Sequence, residues 1–320
     1  MKNAFSLLRR AMTLSLASLL LTVVSSQQSL AQLSYREGQH VEPAYEGWRP
    51  NEDGTISLMF GYFNENWEET PDIPVGEDNF FSPGDGDRGQ PTHFLPRRNR
   101  FTFEVIVPGD FSTDDELVWT LTSPNGVTKS AFATLMPDYK VDDIIIASET
   151  GSLGAGTSSP ESRANVPPSV EIIGDRVRSV RAGEAMHLQA RVIDDGIPKP
   201  GRVGSSTNFR PESMEAWKEG VLSPPSRVTV GKVNGLFLSW NKYRGPGEVS
   251  FNPPQVKPWE DTRTAANSPW SALWVPPEAP ENGLYDVEVT FSEPGQYLLW
   301  ARADDGGLYQ DQYLEVTVLP

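Results

Sequence analysis

Two stretches decide the fold of the C-terminal half: His187-Leu188-Gln189-Ala190-Arg191-Val192-Ile193-Asp194-Asp195-Gly196 and Tyr297-Leu298-Leu299-Trp300-Ala301-Arg302-Ala303-Asp304-Asp305-Gly306. In each, small or apolar residues alternate with larger or polar ones, the period of a strand with one face buried. Each then runs into Asp-Asp-Gly, whose short acids and glycine supply the turn that stops it. The pair announces β structure and no reaction.

Working outward, the 320 residues include 28 Pro and 27 Gly, set among short runs rich in Val, Thr, Phe, Tyr and Trp. That pattern predicts an all-β protein, and the length suffices for two β-sandwich domains with separate cores. The small, polar run from Gly151 to Ser162 has the makeup of a flexible linker. The expected organisation is therefore a first domain over 32–150, a linker over 151–166 and a second domain over 167–320. In the first, strand candidates are Thr55–Phe63, Arg100–Val107, Glu116–Thr122 and Val127–Leu135, the last two forming a hairpin about Ser123-Pro124-Asn125-Gly126.

The N-terminus predicts export. Lys2, Arg9 and Arg10 precede an apolar run from Ala11 to Val24, and Ser29-Leu30-Ala31 has the small residues of a signal-peptidase site. Residues 1–31 thus read as a cleavable signal peptide, with a periplasmic or extracellular product. No later apolar run is long enough to span a bilayer, so membrane insertion is not expected. The signal carries three of the 27 Lys and Arg and none of the 43 Asp and Glu, leaving the mature chain at a formal charge of −19. Such a balance argues against nucleic acid, which needs a basic footprint. With no cysteine, the chain has neither disulfides nor thiolate metal sites.

The second half resembles an immunoglobulin-like domain of the PKD or cadherin-like kind. The resemblance rests on Pro168-Ser169-Val170-Glu171-Ile172, Val180-Arg181-Ala182-Gly183-Glu184 and the strand into Asp194. It continues through Leu236, Leu238 and Trp240 to Glu293-Pro294-Gly295-Gln296-Tyr297-Leu298-Leu299, which is similar to a tyrosine corner. The resemblance implies a sandwich with two long insertions, before Gly235 and from Pro253 to Asn282. It also implies that both Asp-Asp-Gly turns sit at one pole. Asp194, Asp195, Asp304 and Asp305 then have two readings: a calcium site built from clustered carboxylates, or turn chemistry alone. In the second insertion, Trp259, Trp270 and Trp274 either present flat faces to a glycan or pack the loop onto the sandwich.

In the first half, Gly61 to Arg100 resembles a segment of an uncharacterised family of exported bacterial proteins. It reads as a long aromatic loop over 64–99, acids first and bases last, including Trp67, His93, Arg97, Arg98 and Arg100. Those residues either hold an acidic ligand or pair with Glu65, Glu68 and Glu69. The three histidines are His40, His93 and His187, and the chain lacks a nucleophile elbow, a His-Glu-x-x-His helix and a phosphate loop. The functional expectation is a non-catalytic exported protein that binds a glycan or another envelope protein. A polysaccharide hydrolase or an accessory subunit of an envelope complex is the alternative.

Overall fold

The computed structural model describes residues 36–149, 160, 162–199, 235–255 and 279–320. The signal peptide, most of the linker, Trp259, Trp270 and Trp274 fall outside the described residues.

The N-terminal half is a β-sandwich. Strands β1 (Val41–Pro50), β2 (Ile56–Asn64) and β4 (Arg97–Val107) form one antiparallel sheet; β3 (Asn79–Ser82), β5 (Leu117–Thr122) and β6 (Thr128–Ala133) form the other, in the order β3-β5-β6. The β5–β6 hairpin turns where the sequence predicts: Gly126 N donates to Ser123 O at 2.8 Å, with Gly126 at φ +82°. Between the sheets lie Leu58, Phe60, Phe81, Phe103 and Trp119, the Phe60 and Phe103 rings stacked 5.4 Å apart. The 64–99 segment, expected as a plain loop, contains β3 and is pinned by buried amides. Asn79 Nδ2 donates to Ile73 O and Pro91 O, while its Oδ1 accepts from Trp119 Nε1. Amides suit this task because one side chain both donates and accepts, replacing the ladder a loop lacks.

The C-terminal half has two four-stranded sheets. One runs β11 (Val249–Asn252), β12 (Leu284–Phe291), β9 (Ala185–Ile193), β7 (Ser169–Ile172). The other runs β10 (Phe237–Arg244), β13 (Gly295–Asp304), β14 (Tyr309–Leu319), β8 (Val177–Arg181), with β8 parallel to β14. Trp240 on β10 is fully buried between them. Tyr297 Oη donates to Glu293 O at 2.9 Å and accepts from Gly247 N at 3.0 Å, the bonding of a tyrosine corner. Strand order, buried tryptophan and corner together make this an immunoglobulin-like sandwich.

Each sandwich has its own core, and that of the N-terminal half takes in residues of the C-terminal half. Along β13, Tyr297, Leu299, Ala301 and Ala303 face the sandwich interior, while Trp300 joins the hydrophobic cluster of the N-terminal half, with Tyr243 from β10 and the partly buried Leu298 and Tyr313. β13 is therefore buried on both faces, where its alternation predicts one. Helix α1 (Asp143–Glu149) completes the junction, its first turn capped by Asp142 Oδ1 accepting from Ile145 N. Ile146 and Ala147 pack with Met59, Phe101, Val141 and Leu308, a cluster drawn from both halves.

Candidate functional site

The junction is held by buried charge as well as by apolar contact. Arg302, fully buried on the outer face of β13, places Nε 2.6 Å from Asp311 Oδ1 and donates Nη2 to Phe101 O across the junction at 2.7 Å. Trp300 Nε1 donates to the same carboxylate at 2.7 Å. Burial by itself would lower the Arg302 pKa; the adjoining Asp311 carboxylate outweighs it and the pKa is raised, so the guanidinium stays charged. Phe101 takes φ +47°, a conformation L residues avoid, and it is the residue whose carbonyl receives Arg302.

A second lock lies at the far end of β10. Lys242 Nζ sits 2.9 Å from Asp72 Oδ2 and 3.0 Å from Gly247 O, and Asp72 Oδ1 lies 2.8 Å from His93 Nδ1. Burial pushes the His93 pKa down despite Asp72, leaving a neutral ring that donates from Nδ1. Burial would raise the Asp72 pKa, but His93 and Lys242 together hold it below the usual carboxylate range. Beside it, Arg244 forks onto Asp87 at 2.8 and 3.0 Å. The bonds cross between halves and fix their relative orientation.

Next to the Arg302 lock a cleft of about 750 Å³ opens between the halves. One wall is the outer face of the β1-β2-β4 sheet and α1, with Arg49, Glu104, Ile106 and Asp143. The other is β13–β14, with Leu298, Tyr309, Tyr313 and Glu315. A concavity of this size at a domain junction, mostly apolar with a few polar groups, is where ligand sites concentrate. Nothing local in the sequence marks it, because its walls meet only through the docking of two sheets. The available signal was Leu298 and Trp300 on the face of β13 that a half-buried strand would turn to solvent.

The residues singled out from sequence are dispersed. His93 belongs to the Lys242 lock. Arg97 stacks on Trp67 and Phe63, its Cζ 4.1 and 4.7 Å from their ring centroids, and donates to Glu65 O at 2.6 Å. Arg98 pairs with the nearly buried Glu46 at 2.6 Å, not with the expected Glu65, Glu68 or Glu69; Glu68 is held by Arg36 instead. Arg100 is half-buried. These contacts fasten the 64–99 segment from within.

The two Asp-Asp-Gly turns do approach each other, bridged by consecutive residues: Asn165 Nδ2 donates to Asp305 Oδ2 and Val166 N to Asp195 Oδ2, both at 3.1 Å. Each of the four carboxylates also accepts from turn N–H groups, Asp194 from Gly196, Asp195 from Ile197, Asp304 from Gly306, and Asp305 from Gly307 and Leu308, while Asp194 Oδ1 is buried without a hydrogen-bond partner. Among the described residues, three acid or imidazole groups gather within 4.8 Å only at His40, Glu42 and Glu65. There the two ring nitrogens of one histidine address different carboxylates, and Lys129 Nζ lies 3.0 Å from Glu42. That arrangement is a cluster of polar side chains at the surface joined to Lys129.

Neither a protein-family model nor a curated protein matches the sequence. Among solved structures, the chain is similar to a conjugative transposon lipoprotein from Bacteroides eggerthii DSM 20697 (9% identity, TM-score 0.24, covering 47% of this chain and 96% of that one). It is similar also to domains 4 and 5 of the S-layer protein SbsC (10%, 0.22, 88% and 98%) and to the D00-D0 domain of intimin (11%, 0.21, 87% and 100%). Likenesses this distant assign no role, and the architecture stands on the strand pairing itself.

Proposed function

We propose that the chain is an exported, non-catalytic binding protein whose two sandwiches act as one rigid body and receive a partner protein of the cell envelope in the cleft between them. The observation that carries this reading is the junction: the buried Arg302–Asp311 pair, the ion pair from buried Lys242 to the more exposed Asp72 and a shared apolar cluster hold the cleft walls in place before any partner arrives. A preformed site loses little ordering entropy on binding. Exposed aliphatic surface at Ile106, with the partly buried Leu298 on the opposite wall, suits protein side chains better than the flat, hydroxyl-rich faces of a sugar. Export, as expected from the signal-like residues 1–31, would bring the chain to a partner outside the cytoplasm.

Site-specific photocrosslinking in the producing cell tests this. A benzophenone side chain at Ile106 should yield a discrete protein adduct, and the same group at Ile193, at least as exposed and on the outer face of β9, should not. No adduct at 106, or the same adduct from both positions, refutes the cleft as the binding site.

A further inference from the structure

We infer that the cleft selects a partner segment carrying a basic side chain flanked by apolar ones; this rests on the cleft being the binding site. The charges on its walls do not balance. Arg49 is shared between Glu104 at 3.0 Å and Asp143 at 3.5 Å, so one guanidinium serves two carboxylates. Arg302, behind the opposite wall, is committed to Asp311. Glu315, exposed, lines the same cleft and adds a further negative charge.

The wall already shows how it would hold a guanidinium. Arg302 lies with Cζ 3.8 Å from the Tyr309 ring centroid and 4.5 Å from that of Trp300, its fork on a carboxylate. Tyr313 on β14 is half-buried, with its ring packed against Tyr243, and still lines the cleft, with Glu315 two residues on and hence on the same strand face. An incoming arginine would find the same pairing of aromatic face and carboxylate. Ile106, 54% exposed, supplies the surface for an apolar neighbour. The surplus of acids over the whole chain would speed the encounter with a basic segment.

The probes are three fluorescein-labelled, end-capped peptides in which leucine alternates with arginine, glutamine or glutamate, titrated against residues 32–320 at about 0.15 M salt and followed by anisotropy. The arginine peptide should bind at least about tenfold more tightly than the glutamine peptide, and the glutamate peptide weakest. Glu315→Gln with Asp143→Asn, both exposed positions, should remove most of the arginine preference and leave the glutamine peptide unchanged. Ile106→Ser should weaken both. Equal binding of the arginine and glutamine peptides, each sensitive to Ile106→Ser, would overturn the charge selection while leaving the cleft as the site. Arginine-peptide binding indifferent to all three substitutions would mean attraction to the acidic surface at large, and both readings would fall.

Discussion

Strands β9 and β13 lead into the same three residues, Asp-Asp-Gly, and do opposite work. With the Asp-Asp-Gly turns superposed in sequence, Val192 corresponds to Arg302 and Ala190 to Trp300. Val192 and Ala190 face the interior of their own sandwich, whereas Trp300 and Arg302 face away from theirs. The alternation has the same period but opposite phase. A one-residue shift of register against the turn moves every side chain to the other face, and β13 uses that second face to dock on a neighbouring sandwich. On β9 the corresponding face carries His187, with an exposed side chain, and the exposed Arg191 and Ile193. A shared motif at the end of two strands thus says where each stops and nothing about which face is the core.

The largest expected effect breaks the docked face. Arg302→Met leaves Asp311 buried without its partner, and breaking a buried ion pair from one side costs about 3–5 kcal/mol. Arg191→Met, on the solvent face of β9, should change stability by no more than about 0.5 kcal/mol. Urea unfolding of both variants measures the difference, and the double variant Arg302→Met with Asp311→Leu should recover only part of the loss, because Trp300 Nε1 and the Phe101 carbonyl are then left without partners. If Arg302→Met proves as mild as Arg191→Met, the junction is a contact without energetic weight, and the rigid-body premise of the proposed function goes with it.

A smaller effect separates the two turns by pH. Burial pushes the Asp305 carboxyl up to about 7, although it accepts from Leu308 and Gly307 N–H groups. A folded-state pKa raised this way favours folding below the ordinary carboxylate pKa, and the benefit is lost as pH rises through about 7. Wild type should therefore lose up to about 4 kcal/mol between pH 4 and 8 relative to Asp305→Asn, at about 1.4 kcal/mol per unit. The asparagine keeps an acceptor for both N–H groups, and Asn165 Oδ1, buried without a hydrogen-bond partner, can turn to meet the new amide. At the half-buried Asp194, burial also raises the pKa, so Asp194→Asn should show the same sign with a smaller slope. Denaturation midpoints across that range decide it, and equal slopes would mean the two turns share one environment.

What the sequence made legible was everything with a local signature. The β5–β6 turn, the tyrosine corner, the buried Trp240 and the pole joining the Asp-Asp-Gly turns each depend on residues a few positions apart or on the known order of one sandwich. The cleft depends on Arg302 meeting Phe101, two hundred positions away and outside either sandwich pattern. The aromatic, basic stretch at 93–100 drew attention because its composition is unusual, yet its unusual residues serve to fasten a long segment. Arg97 fits between Phe63 and Trp67, and Gly61 is forced by the neighbouring Glu46 carboxylate and Asn99 carbonyl, which leave no space for a Cβ. Composition marks where chain is constrained, and only packing tells whether the constraint faces inward or toward a partner.

The smallest effect sharpens the comparison at the opposite ends of the same strands. Tyr297 enters β13 fixed by its hydroxyl, which joins the Glu293 carbonyl behind it to the Gly247 N–H of the β10–β11 connection. Tyr297→Phe keeps the ring against Phe291, 4.8 Å between centroids, and loses only those two bonds. The expected cost is about 1–2 kcal/mol, because Gly247 N–H is left buried without its acceptor. His187, which takes the corresponding position on β9, carries a side chain that is 70% exposed and reaches only Asp286 at 3.2 Å. His187→Phe should accordingly cost under about 0.5 kcal/mol. Hydrogen exchange at Gly247 supplies the finer readout: its protection should fall in Tyr297→Phe and stay unchanged in His187→Phe. Protection that persists in Tyr297→Phe would show that β13 is positioned by its docked face alone, with the corner a consequence of that placement.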